Sequence, residues 1–571
     1  MVDTHRLEFV CNDAPVTVRV AAGESLLSVL REHLGLRAAK DGCAPQGQCG
    51  CCTVLVDGHA RVACVTPATR VAGRRVTTLE GLEAARRDAL AAAFVDGGAS
   101  QCGFCTPGIL LRAAALQDAG RHSAADAERA LSAHLCRCTG WRSVVDAVTG
   151  ATPAPRRRDL DAAAARAAIE GGVRQRVGPD VPLGAGGFAD DGPPPDALVA
   201  VPRPPGSSAD SVDASGQAWV VADTLSEARA LAAPTPGRRS TRTEAPPLAL
   251  PAAVPGGVRL ATSWVEPAYL EPDASWCQPG GTPASPLANG GAFGGKTTSL
   301  APAAAAALSA QLGRPVRVVY AREDVVRLGP KRPPIAAHAV ARDGVVHIDG
   351  RAVTDATTDW AATPDALTVP AAEQWQAVRV PGPPTTTNVR AFPLAERTML
   401  REAALATAGI DAGACCVDER VARTRLATVA AAPGGGVAGA AVHLDAVTGA
   451  LASVEVRVAA GDPLDEVVLR SYCQGAAHMA LGWVLTEGLA VDPESGEVLD
   501  LTIRSFGILR ARSTPPLEVT VLDDAGPPRP VSDAVFAAVA SAAWEALTAA
   551  EGVRPEVLPA GRTRTAQAAR A

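Results

Sequence analysis

The feature that most constrains this chain of 571 residues is the crowding of its cysteines. Ten of the 14 lie before residue 140, and the stretch CAPQGQCGCC, from Cys43 to Cys52, holds four of them. A secreted disulfide scaffold would be short and would carry a signal peptide, whereas the opening residues MVDTHRLEFV show no charged leader followed by an apolar segment. Clustered cysteines in a reducing compartment indicate metal binding or catalysis, so a cytoplasmic protein is expected.

Length, charge and hydropathy set outer limits on the fold and on the partners. A chain this long exceeds one ordinary core, and about two to four domains are expected. The net charge is −6, and the short basic run Arg156–Arg158 is followed directly by Asp159, which is typical of a solvated linker. Nucleic acid is therefore not an expected partner. No stretch reaches the roughly 20 apolar residues of a membrane helix, so no membrane span is expected.

The first group of cysteines has a spacing close to that of a [2Fe–2S] site. Plant-type sites place their four thiolates as C-x4-C-x2-C with a distant fourth cysteine. Cys49 and Cys52 give the C-x2-C pair, Cys43 lies upstream with five intervening residues instead of four, and Cys64 is the distant fourth. Cys51 lies inside the pair and is interpreted as a small buried thiol that is not a ligand.

A second group of four cysteines follows. Cys102 and Cys105 form another C-x2-C pair, and Cys136 and Cys138 form a C-x-C pair. Two such pairs at helix ends can supply four ligands to a second cluster. Zinc is the alternative, because C-x2-C pairs also build zinc sites. The long gap between the two C-x2-C pairs and the presence of a C-x-C pair are unusual in a zinc ribbon, which favours iron–sulfur chemistry.

Secondary-structure patterns divide the chain into four segments and predict a multidomain α+β protein. Residues 1–80 predict a compact α+β unit, and residues 81–150 have the spacing of four helices separated by cysteine-bearing turns. Residues 151–255 are rich in Pro, Ala and Arg and predict a linker or an eroded subdomain. Residues 256–571 predict a larger α/β region. The clearest predicted elements are a helix cap at Ser25, strands at 7–10, 16–20, 61–65, 316–319 and 454–458, and helices at 90–95, 109–116, 124–135 and 144–148.

The first 150 residues contain four motifs, which read KDGCAPQGQCGCCTVLVDG, RVAC, QCGFCTPG and LCRCTGW. These motifs resemble the iron–sulfur part of the xanthine dehydrogenase and aldehyde oxidase family of molybdenum hydroxylases. The resemblance implies a β-grasp ferredoxin-like domain followed by a four-helix domain, each holding one [2Fe–2S] cluster. It also implies that Gln101 and Cys138 lie near a molybdopterin.

Three later segments resemble the molybdenum part of the same family. The motif GGAFGGK at 290–296 is similar to the Gly-rich molybdopterin loop, in which glycines let backbone amides approach a ligand closely. LGRPVRVVYAREDVV at 312–326 and HLDAVTGAL at 443–451 continue the likeness. The resemblance implies a shortened, reduced molybdopterin-binding-like region. Besides Gln101, it assigns as molybdopterin contacts Gly291, Ala292, Phe293, Gly294 and Gly295.

The chain also departs from the family in its last third. After Thr387 and Asn388 it lacks an Arg-Gly-x-Gly stretch, and near the C-terminus it lacks the Gly-x-Gly-Glu motif. In the family that Glu is the base that takes a proton from the metal-bound hydroxyl or water. Asp523 and Asp524 are nearby and are interpreted as a solvated turn. No catalytic residue is therefore assigned, hydroxylase activity of the chain itself is not expected, and the binding of molybdopterin is left open.

These observations are consistent with three functions. The first is an iron–sulfur electron-transfer subunit whose two [2Fe–2S] clusters relay single electrons between a molybdopterin site and a flavin or other acceptor. It requires a full molybdenum-binding subunit and an FAD-binding subunit as partners, since no FAD domain is recognised in this chain. The second is a self-contained molybdenum hydroxylase that oxidises an aldehyde or an N-heterocycle with an altered active site. The third is a non-enzymatic, cluster-bearing scaffold or sensor.

Overall fold

The fold is taken from a computed structural model of the chain. It describes residues 4–151, 155–203, 211–212, 217–232, 235, 237–238, 240–285, 291–355, 366–422 and 428–570. Gly290 of the GGAFGGK motif and most of the Pro- and Ser-rich stretch RPPGSSADS at 203–211 lie outside these residues.

Strands and helices alternate along the described chain. The strands are β1 (Thr4–Cys11), β2 (Ala14–Ala21), β3 (Thr53–Val56), β4 (His59–Val62), β5 (Arg75–Thr77), β6 (Leu198–Pro202), β7 (Ser211–Val212), β8 (Ala218–Ala222), β9 (Val258–Thr262), β10 (Ala274–Cys277), β11 (Val316–Val319), β12 (Ile335–Arg342), β13 (Val345–Val353), β14 (Ala371–Val378), β15 (Thr428–Ala431), β16 (Val437–Leu444), β17 (Leu451–Ala459), β18 (Leu517–Val521) and β19 (Val557–Leu558). The helices are α1 (Leu26–Ser28), α2 (Ala84–Asp96), α3 (Thr106–Asp118), α4 (Ala124–Ala130), α5 (Arg142–Thr149), α6 (Leu160–Gly171), α7 (Leu225–Ala232), α8 (Ala301–Leu312), α9 (Arg322–Leu328), α10 (Leu394–Thr407), α11 (Glu419–Ala422), α12 (Glu466–Leu485), α13 (Ser532–Glu551) and α14 (Arg564–Arg570).

The N-terminal sheet has the strand order β2-β1-β5-β3-β4. Strands β1 and β2 pair antiparallel, and Asn12 and Asp13 form the turn between them with φ angles of 51° and 65°. Two positive φ angles suit a two-residue hairpin turn, because the twist of such a turn matches that of the strands. Ser25 Oγ accepts a hydrogen bond from the Ser28 N–H at 3.2 Å, which confirms the predicted helix cap.

Helices α2, α3 and α5 cover the predicted ranges, whereas the helix predicted at 124–135 is shorter, since α4 ends at Ala130 and a 3-10 turn follows at Leu131–Ala133. Helix α3 begins directly after Cys105 and carries Pro107 in its first turn, where the missing proline N–H leaves no intrahelical bond unmade. The predicted strand at 61–65 is shorter in the structure, since β4 ends at Val62 and Ala63–Val65 form a 3-10 turn. Cys64 therefore lies on a turn instead of a strand.

The described part of the segment at 151–255 is integrated with the rest of the molecule. Strand β6 pairs antiparallel with β8 and parallel with β11, within a sheet of order β10-β11-β6-β8-β7. Helix α6 buries Ala163 and Ala167 in the core of the C-terminal region. The described residues of this segment therefore take part in a sheet and in a hydrophobic core. The domain limits at 151 and 255 stay a prediction.

The C-terminal region contains two further sheets, of order β14-β13-β12-β9-β19 and β15-β16-β17-β18. Helices α10, α12 and α13 pack on one another, with α10 against β12 and α13 against β15 and β16. Their buried Ala, Val and Leu side chains form the largest hydrophobic core of the described residues. This core supports α12, whose Gly475 and Ser471 contact the cysteine-bearing turns of the N-terminal half.

One helix in the described part of the chain, α13 (Ser532–Glu551), has the length and composition of a candidate membrane span. Of its most apolar window, 67% is buried inside the molecule. The helix contacts α10, α12 and β16, so its apolar character is explained by its position in the core.

Candidate metal centres

The first group of cysteines converges from a loop and a neighbouring turn. Cys43, Cys49 and Cys52 lie on the loop before β3, Cys64 lies on the turn after β4, and all four are at most 4% exposed. The backbone N–H of Gln48 donates to Cys43 Sγ at 3.3 Å, and that of Cys64 donates to Cys52 Sγ at 3.4 Å. Such N–H donors stabilise negative charge on sulfur.

The thiols of this group contact one another. Cys43 is hydrogen-bonded to Cys49 and to Cys64. Cys64 is also hydrogen-bonded to Cys52. The hydrogen bonds from Cys49 and Cys64 lower the pKa of the Cys43 thiol well below its usual range. The hydrogen bonds with Cys43 raise the pKa of Cys49 and of Cys64. Four buried sulfurs linked by these contacts are the donor set that a [2Fe–2S] cluster requires.

A tight turn accommodates the additional residue that follows Cys43. The N–H of Gln46 donates to the Cys43 carbonyl oxygen at 2.6 Å and closes this turn. Two glutamine side chains of the loop then reach the C-terminal region. Gln46 Oε1 accepts a hydrogen bond from the Ile503 N–H at 2.9 Å, and Gln48 Oε1 accepts one from the Arg504 N–H at 3.0 Å. These two hydrogen bonds anchor the loop to a distant part of the chain.

The second group of cysteines forms two close pairs. Cys138 Sγ lies 3.7 Å from Cys102 Sγ, and Cys105 is hydrogen-bonded to Cys136. The bond from Cys105 lowers the pKa of Cys136 to about 6, with the Thr139 hydroxyl at 3.2 Å acting in the same direction and burial opposing both. The turns before α3 and α5 therefore bring the four sulfurs together.

The sulfurs of the second group are arranged in contacting pairs, and all 14 cysteines are free of disulfides. Among the residues that the structure describes, no group of three or more Cys, His, Asp or Glu side chains is placed to hold a single metal ion. A structural zinc site needs four ligands around one ion. Each iron of a [2Fe–2S] cluster takes only two protein thiolates. The paired arrangement of the second group therefore fits a binuclear cluster better than it fits zinc.

The two cysteine groups meet at a contact that sequence reasoning missed. The N–H of Leu135, next to Cys136, donates to the carbonyl oxygen of Cys49 at 3.0 Å. Beside it, His134 Nε2 lies 3.2 Å from Thr53 Oγ1. Burial lowers the pKa of His134 to about 3, so its ring is neutral at physiological pH. The only sequence signal was the position of His134 and Leu135 directly before the C-x-C pair.

Arg137 is a second residue that sequence reasoning missed, although it lies between Cys136 and Cys138. Its guanidinium donates two hydrogen bonds to the Glu487 carboxylate, at 2.6 and 2.7 Å, and a third to the Pro267 carbonyl at 3.0 Å. The Arg137 and Glu487 side chains are 4% and 1% exposed. The pair fixes the second cysteine turn to the C-terminal region across a separation of 350 residues.

The structure brings the predicted molybdopterin contacts next to the second cysteine group. Gln101 Nε2 donates to the Cys138 carbonyl oxygen at 2.8 Å. A Cβ atom on Gly291 would lie 3.3 Å from Cys138 Sγ, and one on Gly294 would overlap the Asn388 carbonyl oxygen. The Gly-rich loop therefore rests directly on Cys138 and on the chain at Asn388, as closely as glycine permits. The last loop glycine, Gly295, packs in the same way against the ring of Pro267.

Little space remains between these groups. The guanidinium of Arg390 lies 3.4 Å from the ring centroid of Phe293, and both line a cavity of about 30 Å³ together with Ala292. A second cavity, of about 20 Å³, lies beside Gln101 and Tyr472. Each has room for about one water molecule, whereas cofactor sites measure roughly 300–1,000 Å³. The described residues of the loop do not fit a molybdopterin.

The acidic residues near the expected position of the family's base have structural contacts. Asp524 forms ion pairs with Arg420 and Arg529 and accepts a hydrogen bond from the Gly461 N–H at 3.2 Å. Burial acts to raise the pKa of Asp524, but a hydrogen bond from the Gly526 N–H and the charges of Arg420 and Arg529 hold it below its usual range. Asp523 is exposed, as a solvated turn predicts. Asp524 instead joins three separate parts of the chain.

Comparisons with known proteins agree with the cysteine geometry. A family model described as a [2Fe-2S] binding domain matches residues 78–149, and one described as a molybdopterin cofactor-binding domain matches residues 286–363. The xanthine dehydrogenase iron-sulfur-binding subunit of Escherichia coli O157:H7 is 37% identical over 150 residues, which cover 26% of this chain and 93% of that subunit. The aldehyde oxidoreductase of Megalodesulfovibrio gigas is 46% identical over 134 residues, covering 22% of this chain and 15% of that protein.

A solved structure extends the likeness to the whole chain. The aldehyde oxidoreductase from Desulfovibrio gigas matches with a TM-score of 0.73 and 16% identity, covering 99% of this chain and 100% of that one. At this level of identity the match concerns the fold alone. The chain belongs to the xanthine dehydrogenase and aldehyde oxidase family of molybdenum hydroxylases, which confirms the resemblance of its motifs. The coarse prediction of a multidomain α+β fold is confirmed as well.

Proposed function

We propose that this chain is an iron–sulfur electron-transfer subunit, which relays single electrons between a molybdopterin site and a flavin or another acceptor. The observation that carries the proposal is that two groups of four buried cysteines meet at one backbone hydrogen bond, from Leu135 to Cys49. A [2Fe–2S] cluster, when bound, accepts and releases one electron. The proposed ligands are Cys43, Cys49, Cys52 and Cys64 for the first cluster, and Cys102, Cys105, Cys136 and Cys138 for the second.

The residues around the cysteines supply a dry and fixed environment. All eight proposed ligands are at most 8% exposed, so water is kept from the sulfurs. Backbone N–H groups of Gln48 and Cys64 donate to ligand sulfurs. Neutral His134 places no additional positive charge at the junction. Burial and hydrogen bonds of this kind set the reduction potential of a cluster.

The proposal extends to partners and to domain limits. Partners are a full molybdenum-binding subunit and an FAD-binding subunit, and this chain acts without its own flavin in the cytoplasm. Support comes from the Escherichia coli relative, which is the iron-sulfur-binding subunit of a xanthine dehydrogenase. The proposed domains are the ferredoxin-like unit at 1–80, the helical cluster-binding unit at 81–150, the eroded subdomain at 151–255 and the reduced molybdopterin-binding-like unit at 256–571.

Metal analysis of the full chain, expressed alone, tests this function. We expect about four iron atoms per chain, two cluster signals in the EPR spectrum of the reduced protein, and no stoichiometric molybdenum or pterin. Stoichiometric molybdenum together with turnover of an aldehyde or an N-heterocycle would overturn the relay. Iron close to zero would overturn both clusters.

A self-contained molybdenum hydroxylase is the second candidate. It is favoured by the match of residues 286–363 to a molybdopterin cofactor-binding domain and by the similarity of fold along the whole chain. It is disfavoured by the close packing of Arg390 on Phe293 and by the missing Gly-x-Gly-Glu motif. The molybdenum content of the purified chain separates it from the first candidate.

A further inference from the structure

Arg137 stands between two proposed ligands of the second cluster, and one buried carboxylate balances its charge. Cys136 precedes it in the chain and Cys138 follows it. The Glu487 carboxylate accepts a hydrogen bond from Arg137 Nη1 at 2.6 Å and another from Nη2 at 2.7 Å. The Arg137 and Glu487 side chains are 4% and 1% exposed, so water does not screen the two charges. They therefore act on their surroundings more strongly than charges at the surface do.

The position of Glu487 is unfavourable for a carboxylate without a partner. Glu487 lies two residues beyond the last residue of α12, and its N–H donates to the Gly482 carbonyl oxygen at 2.8 Å. The C-terminal end of a helix carries partial negative charge, which destabilises a nearby anion. Gly482 leaves room for the carboxylate, because an added Cβ atom would overlap Glu487 Oε1. The fold thus brings a negative charge to this place, and Arg137 is the cation that stabilises it.

The remaining charged side chains of the cavity beside this pair have partners of their own. Their ion pairs are Lys331–Glu266 at 3.0 Å, Arg332–Glu396 at 2.7 Å and Arg390–Asp533 at 3.7 Å. Glu487 is therefore the carboxylate that these contacts assign to Arg137. Removal of its charge leaves the buried guanidinium uncompensated.

Reduction adds one electron, and hence one negative charge, to a cluster. A nearby positive charge stabilises the reduced state and raises the reduction potential, whereas a nearby negative charge lowers it. With Glu487 in place, the ion pair contributes no net charge next to the second cluster. Without the Glu487 charge, a buried positive charge remains on the residue between two ligands.

We propose that the Glu487 carboxylate holds down the reduction potential of the second cluster by cancelling the charge of Arg137. This inference rests on the proposed function, because it requires Cys136 and Cys138 to be cluster ligands. Glu487 is a positioning residue in this role, since it acts on the cluster through Arg137. A lower potential at the second cluster favours transfer of its electron to the first cluster.

Redox titration followed by EPR, with the full chain, tests the inference. For Glu487→Gln we expect the one-electron reduction equilibrium of the second cluster to shift roughly tenfold toward the reduced state, which is about 59 mV for a one-electron couple. The double variant Arg137→Gln and Glu487→Gln removes both charges and leaves no member of the pair charged and buried alone. Its second-cluster potential should return to that of the unmodified chain. The first cluster serves as the internal reference, and its potential should change much less.

A matched variant controls for the loss of a glutamate near the second cysteine group. Glu128 pairs with Arg142 at 2.8 Å, and their side chains are 24% and 19% exposed, so solvent screens this pair. Glu128→Gln should leave both potentials unchanged, and a shift as large as that of Glu487→Gln would overturn the inference.

The other outcomes are equally decisive. An unchanged second potential in Glu487→Gln would overturn the inference, and so would equal shifts in the single and double variants, which indicate altered packing. If Glu487→Gln alone does not fold, a shifted second potential in the double variant overturns the inference and an unshifted one supports it. Absence of a second cluster from the unmodified chain would instead overturn the proposed function.

Discussion

At the scale of single residues, the contacts between cysteine side chains fall into two groups. Cys136 contacts Cys105 in the second group, and the first group has its own contacts around Cys43. Replacing Cys136 by Ser removes one proposed ligand of the second cluster and none of the first. We expect the EPR spectrum of the reduced protein to lose one cluster signal and to keep the other. Cys277→Ser is the control, because Cys277 is a buried thiol of a separate core. Loss of both signals, or of neither, would contradict the two-site assignment.

The buried Arg137–Glu487 ion pair leads to a second prediction at the scale of single residues. Glu487→Gln keeps the shape of the side chain but leaves the buried Arg137 charge without its counter-charge. We expect the free energy of unfolding to fall by about 3–5 kcal/mol, as is usual when one partner of a buried pair is removed. Denaturant titration of the cluster-loaded protein measures it. Glu8→Gln is the control, since Glu8 pairs with Arg6 at 61% and 70% exposure and should change stability little. Equal losses of unfolding free energy in both variants would contradict a stabilising role for the buried ion pair.

Residues with local signals could be predicted, and residues without them could not. The proposed ligands follow from C-x2-C and C-x-C spacings, which bring sulfurs together within a few residues of chain. Nothing in the sequence assigned a role to His134 or Arg137, because their partners Thr53 and Glu487 are 81 and 350 residues away. Such contacts exist only once separate parts of the chain are packed together.

At the scale of elements, Glu402 joins three of them. Its carboxylate on α10 accepts hydrogen bonds from the Ser541 hydroxyl on α13 at 2.6 Å and from the Val429 N–H on β15 at 2.8 Å. Burial raises the pKa of Glu402 to about 8, with these bonds acting in the opposite direction. The carboxyl group is therefore protonated in the folded protein at pH values where it is ionised in the unfolded chain.

The raised pKa gives the pH dependence a definite sign. A raised folded-state pKa stabilises the fold fully below the unfolded value of about 4.5, and this contribution is lost as the pH rises through about 8. Between about pH 6 and pH 9 we expect a loss on the order of 3 kcal/mol from this group. Glu402→Gln does not titrate and should flatten this part of the profile, so that it exceeds the unmodified chain in stability at about pH 9. Unfolding curves at both pH values check it, and parallel profiles would contradict it.

The sequence predicted whether an element is a helix or a strand more accurately than it predicted the residue at which the element ends. Strands β1 and β2 and helices α2, α3 and α5 lie where alternation and helical spacing predicted them, whereas α4 ends at Ala130, before the predicted end at Leu135. The strand predicted at 61–65 ends at Val62, because the chain turns there and places Cys64 beside Cys52. The apolar residues Ala63, Cys64 and Val65 continue the pattern of the strand in sequence, although Ala63 and Cys64 are both buried in the structure, whereas successive residues of a strand point to opposite faces.

At the scale of the whole molecule, buried ion pairs join the N-terminal half to the C-terminal half. Arg317 on β11 pairs with Glu32 at 2.8 Å and with Asp190 at 2.8 Å, and its side chain is only 5% exposed. Burial acts to raise the pKa of Asp190, but the charges of Arg317 and Arg31 hold this pKa at about 2. Lys40 is bound to Asp191 in the same interface. These contacts place the first cysteine loop against the rest of the fold.

Removing the central cation of this interface should weaken the whole molecule. Arg317→Met leaves Glu32 and Asp190 without their shared partner, and we expect the free energy of unfolding to fall by about 3 kcal/mol at neutral pH. Arg314→Met is the matched control, since Arg314 and Asp223 are 50% and 78% exposed and their pairing should contribute little. Thermal unfolding of both variants measures the difference. A loss no larger than that of the control would show that the two halves are held by apolar contacts alone.

By itself, the sequence determined the family, the α+β class and the candidate ligand sets. These depend on patterns that span a few residues, such as the two C-x2-C pairs and the spacing of apolar side chains. Only the tertiary structure decided how the sets are used. It brings the Leu135 N–H to the Cys49 carbonyl oxygen, and it packs Arg390 on Phe293, one of the residues that the resemblance assigned as a molybdopterin contact. The reason is physical, because these contacts depend on close packing between segments that are far apart in the chain.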